Sequence, residues 1–221
     1  MQNKWIKKDS NETLILMFMG WACDEDMIKD VDFEGCDMLC FFDYTGDLND
    51  VKIEDYSGYK RVVLLAWSFG VWVADYFHAK GFLPNVDAAM AMNGTVKPIH
   101  NKFGIHELNF KLTVRGLERV GLSKFYDKIS AETPINPCKR DIKVQIEELK
   151  NLEIWSSKEY VSTLTWNLAL IGQKDLIFSP KNMQNYWDIV GTKFINGKTV
   201  EHYPFNDEGL SVINNFLDES K

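Results

Sequence analysis

A serine stands where a buried strand is predicted to turn into a helix. The residues at 62–66, VVLLA, are branched or small and apolar, as in strands buried on both faces. AWSFG at 66–70 follows the pattern small-x-Ser-x-Gly, with alanine in place of the usual first glycine. Such a turn exposes a serine for nucleophilic attack and points helix-start N–H groups toward the reacting oxygen. The pattern predicts Ser68 as a nucleophile, although a serine that only caps the helix would give the same pentapeptide.

A serine hydroxyl needs a general base, and histidine is the residue that most often supplies it. His202 sits in TVEHYPF, at the last predicted strand, where its ring could reach Ser68. The other histidines are less suitable: His78 is predicted to face away on the helix after the serine, and His100 and His106 lie in a segment without predicted strands. A structural histidine is the alternative, but the position of His202 favours catalysis.

Asp175, in LALIGQKDLIFSP, is the predicted acidic partner of the histidine. An apolar strand ends at Gly172, and the aspartate follows three residues later, before a helix that Pro180 opens. There it could accept the imidazole N–H and stabilise the imidazolium, unless it is simply a solvated loop carboxylate. Asp188 and Asp207 are weaker candidates because they fall on predicted helices.

Two main-chain N–H groups are candidates for an oxyanion hole, which such a nucleophile also requires. One is the N–H of Phe69, directly after the serine. The other is the N–H of Trp21, because the apolar run 13–19 ends at Gly20 and glycine lets the backbone turn tightly there. Trp21 could otherwise be an ordinary core aromatic.

The elements that must position these residues alternate between strand and helix. Strand-like runs occur at 13–19, 38–42, 61–66, 86–92, 166–172 and near 199–204, and helical patterns at 24–30, 69–80, 180–190 and 207–219. This alternation predicts a mostly parallel sheet with helices on both faces, in a single domain over residues 1–221.

One segment departs from the alternation. Residues 95–162 contain no convincing buried strand, and residues 95–145 hold ten Lys or Arg against five Asp or Glu. We predict that 95–162 is a helical lid inserted between two strands, since segments that cover a scaffold usually carry specificity.

The overall composition excludes several classes of function. With 221 residues, 45% of them hydrophobic, and a net charge of −7, the chain is an ordinary globular protein without the basic character of nucleic-acid-binding proteins. No apolar run is long enough for a membrane span, and LILMFM at 14–19 is predicted to be a first strand and not a secretory signal. The four cysteines have no zinc-site spacing and are predicted to be reduced thiols of a cytoplasmic protein.

Four motifs together resemble the BioG-type pimeloyl-[acyl-carrier protein] methyl ester esterases, a group of short α/β-hydrolases. They are MGWACDEDM after the first strand, WSFGVW at the serine, GQKD at the aspartate and EHYPF at the histidine. The resemblance runs over nearly the full length and is weakest across 95–162. Ser68, Asp175, His202 and the Trp21 and Phe69 N–H pair fall on matching positions.

The resemblance implies an α/β-hydrolase fold and a serine esterase of biotin synthesis. Such enzymes remove the methyl ester from one end of a pimeloyl group whose other end is a thioester on acyl carrier protein, and they require no metal or organic cofactor. Because carrier proteins are acidic, Lys111, Arg115 and Arg119 are candidate partner-binding residues, with i, i+4, i+8 spacing on one helix face that Gly116 interrupts. An ordinary solvated helix face would show the same spacing.

Two alternative functions remain open from the sequence. The same residues would serve another serine esterase or thioesterase, acting on small or carrier-bound acyl groups. The fold could also be a catalytically silent scaffold used for binding, although the presence of serine, aspartate and histidine together argues against that.

Overall fold

The computed structural model describes residues 1–53, 55–83 and 85–220. The strands are β1 (Gln2–Lys7), β2 (Thr13–Phe18), β3 (Cys36–Phe42), β4 (Arg61–Trp67), β5 (Ala88–Met92), β6 (Leu168–Gly172) and β7 (Phe194–Gly197). The helices are α1 (Phe69–Ala79), α2 (Glu107–Val120), α3 (Ser123–Ile129), α4 (Ile142–Ser156), α5 (Pro180–Val190) and α6 (Asp207–Glu219).

The strands form one sheet in the order β1-β3-β2-β4-β5-β6-β7. All neighbours are parallel except β1, which pairs antiparallel with β3. Successive residues of β4 enter opposite cores: Val62 and Leu64 pack with α1 and α5, while Val63 and Leu65 pack with α6. The predicted mostly parallel sheet with helices on both faces is therefore confirmed.

The predictions were wrong at the two edges of the sheet. β1 was missed because its lysines and asparagine lie on an edge strand that is only partly buried. β7 lies at Phe194–Gly197, whereas the predicted strand near 199–204 is a loop. Residues 200–204 of this loop are buried without pairing in the sheet. The predicted helix 24–30 shortens to a single 3₁₀ turn, Glu25–Met27.

The segment between β5 and β6 is helical, as predicted for 95–162. It contains α2, α3 and α4, and its described residues form no strand beyond an isolated bridge between Ile99 and Ile105. Phe110 and Leu149 join it to the core on one face of the sheet. A lid function for this segment, and the single-domain boundaries, stay predictions.

The return from α4 to β6 is fastened to α1 by a buried carboxylate. Asp75 accepts hydrogen bonds from Tyr160 Oη, Ser162 Oγ and Trp166 Nε1, each 2.9 Å long. Burial raises the pKa of Asp75, while the three donors oppose that rise. The side chain thus fixes the path of the segment that brings β6 back into the sheet.

Two further findings bear on the predicted location. Every helix among the described residues is too short or too polar to cross a bilayer. The four cysteines carry free thiols, and three of them are buried. A cytoplasmic location stays a prediction.

Candidate active site

Ser68 lies in a strained turn between β4 and α1. Its backbone has φ 58° and ψ −126°, a conformation that side-chain-bearing residues rarely adopt. Two glycines allow the turn to approach its neighbours. A Cβ on Gly70 would lie 2.3 Å from the carbonyl oxygen of Phe18, and a Cβ on Gly94 would lie 2.4 Å from that of Ser68 itself. The turn thus requires both glycines and places the serine at the end of the central strand.

The structure brings together the three side chains that the sequence nominated. His202 Nε2 lies 3.0 Å from Ser68 Oγ, and His202 Nδ1 lies 2.8 Å from Asp175 Oδ2. All three residues are buried, with exposed fractions of 3%, 2% and 6% for the serine, histidine and aspartate. With the proton on Nδ1, facing the carboxylate, Nε2 is free to accept the serine proton.

Asp175 is held by its second oxygen as well. Oδ1 accepts hydrogen bonds from the N–H groups of Ile177 at 2.7 Å and Phe178 at 2.9 Å. The ring of Phe178 also stacks on the imidazole of His202, with 5.9 Å between ring centroids and 3° between planes. One short loop therefore orients both the carboxylate and the histidine ring.

The competing acids and histidines lie elsewhere. Asp188 and Asp207 are exposed on α5 and α6. His78 Nδ1 contacts Thr163 Oγ1. The two remaining histidines accept local main-chain hydrogen bonds: His100 Nδ1 from the N–H of Lys102, and His106 Nδ1, at the N-cap of α2, from that of Leu108.

Asn93 is a site residue that the sequence reasoning missed. It is fully buried at the end of β5, and its Nδ2 donates to the carbonyl oxygens of Glu201 at 2.6 Å and His202 at 2.9 Å. Its Oδ1 accepts the N–H of Gly172 at 2.6 Å. The Asn-Gly pair after a strand signals a turn, but nothing in the sequence indicates that the amide fixes the histidine backbone.

Glu201 ties that backbone to the segment after α3. Its carboxylate accepts hydrogen bonds from Ser130 Oγ at 3.0 Å and from three successive N–H groups: Ala131 at 2.6 Å, Glu132 at 3.2 Å and Thr133 at 3.3 Å. Burial raises the pKa of Glu201, but these donors outweigh it and lower the pKa overall. The residue before the histidine thus anchors the end of α3.

A cavity of about 430 Å³ opens above the serine. Its lining is mainly apolar and includes Trp21, Phe69, Phe110 and Leu112 beside Ser68. The charged residues among its described lining are two cations of α3, Lys124 and Lys128. The site can therefore accept an acyl chain next to the serine. No group of three or more metal-ligating side chains occurs among the residues that the structure describes.

The predicted oxyanion residues lie beside the serine. Trp21 and Phe69 both line the cavity, and a Cβ on Gly20 would lie 3.0 Å from Ser68 Cβ. Within the described part of the chain, no acceptor takes the main-chain N–H of Trp21 or of Phe69. Their role as an oxyanion hole stays a prediction.

The loop that carries Trp21 is fixed by the helical segment. Trp21 Nε1 donates to the carbonyl oxygen of Gln145 at 2.6 Å, and Tyr126 Oη donates to that of Ala22 at 3.1 Å. Arg140 Nη2 donates to the carbonyl oxygen of Cys23 at 3.0 Å. Helices α3 and α4 and the connection between them therefore hold the backbone at residues 21–23.

Arg140 is itself paired with a fully buried glutamate. Its Nη2 lies 2.6 Å from Glu148 Oε2, and Glu148 Oε1 accepts the N–H of Tyr44 at 2.9 Å. Burial raises the pKa of Glu148 to about 7, against the opposing effects of the guanidinium and the N–H. Nothing in the sequence pattern indicates this pair.

The three predicted partner-binding residues share one exposed face. α2 continues through Gly116, so Lys111, Arg115 and Arg119 are separated by successive turns of a single helix, and all three are exposed. None of them pairs with a carboxylate among the described residues. Binding of a partner by this face stays a prediction.

Comparison of the chain with known protein families gives one match over most of its length. The model described as pimeloyl-ACP methyl esterase BioG matches residues 1–208. Over 180 residues the chain is 31% identical to a malonyl-[acyl-carrier protein] O-methyltransferase of Bacteroides fragilis (strain 638R). That match covers 78% of this chain but 36% of the relative, so the chain spans about a third of the relative's length.

Solved structures share the fold. The crystal structure of BioG from Haemophilus influenzae superposes with a TM-score of 0.79 at 29% sequence identity, covering 92% of this chain and 94% of that one. An esterase from Exiguobacterium antarcticum superposes with a TM-score of 0.70 at 13% identity, covering 99% of this chain and 94% of that one, which shows the fold alone. The fold is the α/β-hydrolase fold, as predicted.

Proposed function

Because the chain belongs to the BioG family of pimeloyl-ACP methyl esterases, we propose that it hydrolyses the methyl ester of a pimeloyl group carried on acyl carrier protein, a step of biotin synthesis. The observation that carries the proposal is the hydrogen-bond chain from Asp175 through His202 to Ser68, which ends in an apolar cavity. Free thiols support a cytoplasmic location for this reaction.

In the proposed acylation step, Ser68 Oγ attacks the ester carbonyl carbon while its proton passes to His202 Nε2. Asp175 stabilises the resulting imidazolium through Nδ1. The negative charge that develops on the carbonyl oxygen is received by the N–H groups of Trp21 and Phe69. The intermediate then breaks its bond to the methoxy oxygen, which takes the proton from His202 and leaves as methanol.

The proposed deacylation step repeats this proton transfer with water. A water molecule gives its proton to His202 Nε2 and attacks the acyl carbon, and the bond to Ser68 Oγ breaks as the serine recovers the proton. The product is a free carboxylate at the end of the acyl chain. The thioester to the carrier is not touched, since it lies at the other end of the chain.

The basic face of α2 supports a carrier protein as partner. The protein has a net charge of −7, which opposes approach of an acidic carrier, so a local group of exposed cations would direct it. Lys111, Arg115 and Arg119 belong to the helix that also contributes Phe110 and Leu112 to the cavity. A carrier bound there would lie beside the opening through which its acyl group enters.

The deciding experiment is a mass-spectrometric assay on methyl-pimeloyl-acyl carrier protein, with wild type beside Ser68→Ala. We expect the carrier species to lose the mass of one methylene with wild type only, while the thioester survives. Stripping of the whole acyl group from the carrier would mean that the protein is a thioesterase. Labelling of Ser68 by a fluorophosphonate without hydrolysis of the carrier-bound ester would support Ser68 as the nucleophile and refute the proposed substrate. Absence of both would indicate a silent scaffold.

A second experiment tests the partner face separately. The triple variant Lys111→Glu, Arg115→Glu and Arg119→Glu should lower kcat/KM on the carrier-bound ester. It should also reverse the effect of salt, since salt screens the attraction in wild type and the new repulsion in the variant. Lys193→Glu, an exposed charge reversal next to β7, is the matched control. Unchanged kcat/KM and salt dependence in the triple variant would rule out this face.

A further inference from the structure

Two leucines that line the cavity and a third, one turn away on α2, are unusually exposed. Leu108, Leu112 and Leu176 have exposed fractions of 59%, 56% and 68%. Two of them, Leu112 and Leu176, also line the cavity that contains Ser68. We call these three residues the leucine collar. Leaving large apolar side chains in water is unfavourable, so a cluster at the entrance of a site is typical of a surface that is covered when the site is in use.

The collar is interleaved with cations on α2. Leu108 and Leu112 are one turn apart, and Lys111 and Arg115 follow each of them at i+3. The opposite side of the helix is buried through Phe110. The outward face of α2 therefore combines apolar contact area with positive charge, next to the opening.

We propose that the leucine collar is the docking surface of the acidic carrier protein, with its leucines as the anchors and the α2 cations as guides for the approach. This inference rests on the proposed function and adds to it the residues that hold the complex together. The argument for this occupant is charge complementarity, because an acidic partner satisfies the cations while its own apolar side chains cover the leucines. Charges at the rim of an interface mainly change the association rate, whereas desolvated apolar anchors determine the affinity.

Leu108 is the residue that separates docking from chemistry, because it belongs to the collar but does not line the cavity. Leu108→Ala keeps a strong helix former in α2. Loss of one buried leucine side chain from the complex predicts a rise of about tenfold in KM for the carrier-bound ester. Hydrolysis of a small soluble ester by the same variant should stay within about twofold of wild type. Ile189→Ala, which removes another exposed aliphatic side chain, on α5, should change the kinetics on neither substrate.

A binding measurement tests the same inference without turnover. In the Ser68→Ala background, which cannot turn over the substrate, binding of the acylated carrier should weaken about tenfold with either Leu108→Ala or Leu176→Ala. Equal KM and equal binding in wild type and Leu108→Ala would overturn the inference while leaving the esterase proposal intact. If wild type does not hydrolyse the carrier-bound ester at all, the proposed function is refuted, and the docking inference that rests on it is refuted too.

Two other occupants are distinguishable in the same variants. If the collar faces a lipid surface, wild type will bind phosphatidylglycerol vesicles, Leu108→Ala will not, and carrier kinetics will be unchanged. If it faces a second copy of this chain, sedimentation will show a dimer that Leu108→Ala dissociates, again with unchanged carrier kinetics. Either result overturns the assignment to the carrier.

Discussion

Replacing Asp175 by asparagine should remove the proposed base function of His202 without disturbing the packing. The exchange is isosteric, but the two sides of the amide are not equivalent. Oδ1 accepts the N–H groups of Ile177 and Phe178 at 2.7 and 2.9 Å, so the amide oxygen of the variant must take that position. Its NH₂ group then faces His202 Nδ1, where the carboxylate oxygen lay at 2.8 Å.

The consequence is a change of tautomer. Facing a donor, Nδ1 must be an acceptor, and the ring proton moves to Nε2, which lies 3.0 Å from Ser68 Oγ. A protonated Nε2 cannot take the serine proton. The expected loss in kcat/KM is on the order of 10⁴, which corresponds to about 5 kcal/mol of transition-state stabilisation.

The assay is hydrolysis of a chromogenic short-chain ester by wild type, Asp175→Asn and Asp188→Asn, with thermal unfolding of each. Asp188 is an exposed carboxylate on α5, so its variant controls for loss of charge alone. We expect full activity in the control and similar unfolding temperatures in all three proteins. More than a tenth of wild-type activity in a folded Asp175→Asn variant would refute the tautomer argument.

Three further perturbations test other parts of the site. Gly94→Ala should destabilise the protein by about 1–3 kcal/mol and lower esterase activity, since the new Cβ would press on the carbonyl of Ser68; unchanged thermal unfolding would contradict this. Glu201→Gln should speed hydrogen exchange at the amides of 131–133 at least tenfold, because the NH₂ group of the new glutamine would face N–H donors. The control is Glu208→Gln: the Glu208 carboxylate binds the N–H groups of 198 and 199, so its loss should leave exchange at 131–133 unchanged. Equal protection in both variants would exclude the anchoring role. Glu148→Gln should change how the unfolding free energy depends on pH. The pKa of Glu148 is raised from 4.5 to about 7 in the folded protein, so the stabilisation by its protonated form is fully present below about pH 4.5 and is lost as the pH rises through 7. The unfolding free energy of wild type relative to this variant should thus fall by on the order of 3 kcal/mol between pH 4 and 8 in chemical denaturation, and a flat difference would contradict the raised pKa.

The central part of the fold could be predicted from the sequence because its strands are buried on both faces. β2, β3 and β4 are continuous apolar runs, and their predicted ranges agree with the structure to within about two residues. The edges could not be predicted in this way. β1 pairs on one side only and carries lysines, and β7 exposes its isoleucine and asparagine, so neither has the pattern of a buried strand.

The predicted triad members were brought together because each follows a strand or its loop at the same end of a parallel sheet. The contacts that fix them were beyond sequence reasoning. Asn93, Glu201 and Arg140 act through main-chain carbonyls or N–H groups, and such bonds depend on where the backbone passes in three dimensions. The predicted late strand near 199–204 was wrong for a related reason: residues 200–204 are buried by such contacts and not by pairing in the sheet.

The distance along the chain between the serine and its base has a consequence for folding. His202 and Ser68 are 134 residues apart, and the strands that carry their neighbours join only through parallel pairing. Parallel strands brought together from distant parts of a chain form slowly, because loop entropy is lost before the contacts are gained. Esterase activity therefore reports the last stage of assembly. During refolding it should return after the fluorescence of Trp72 in the local β4–α1 unit has recovered, and a chain that is compact but inactive is the intermediate that this order of events produces.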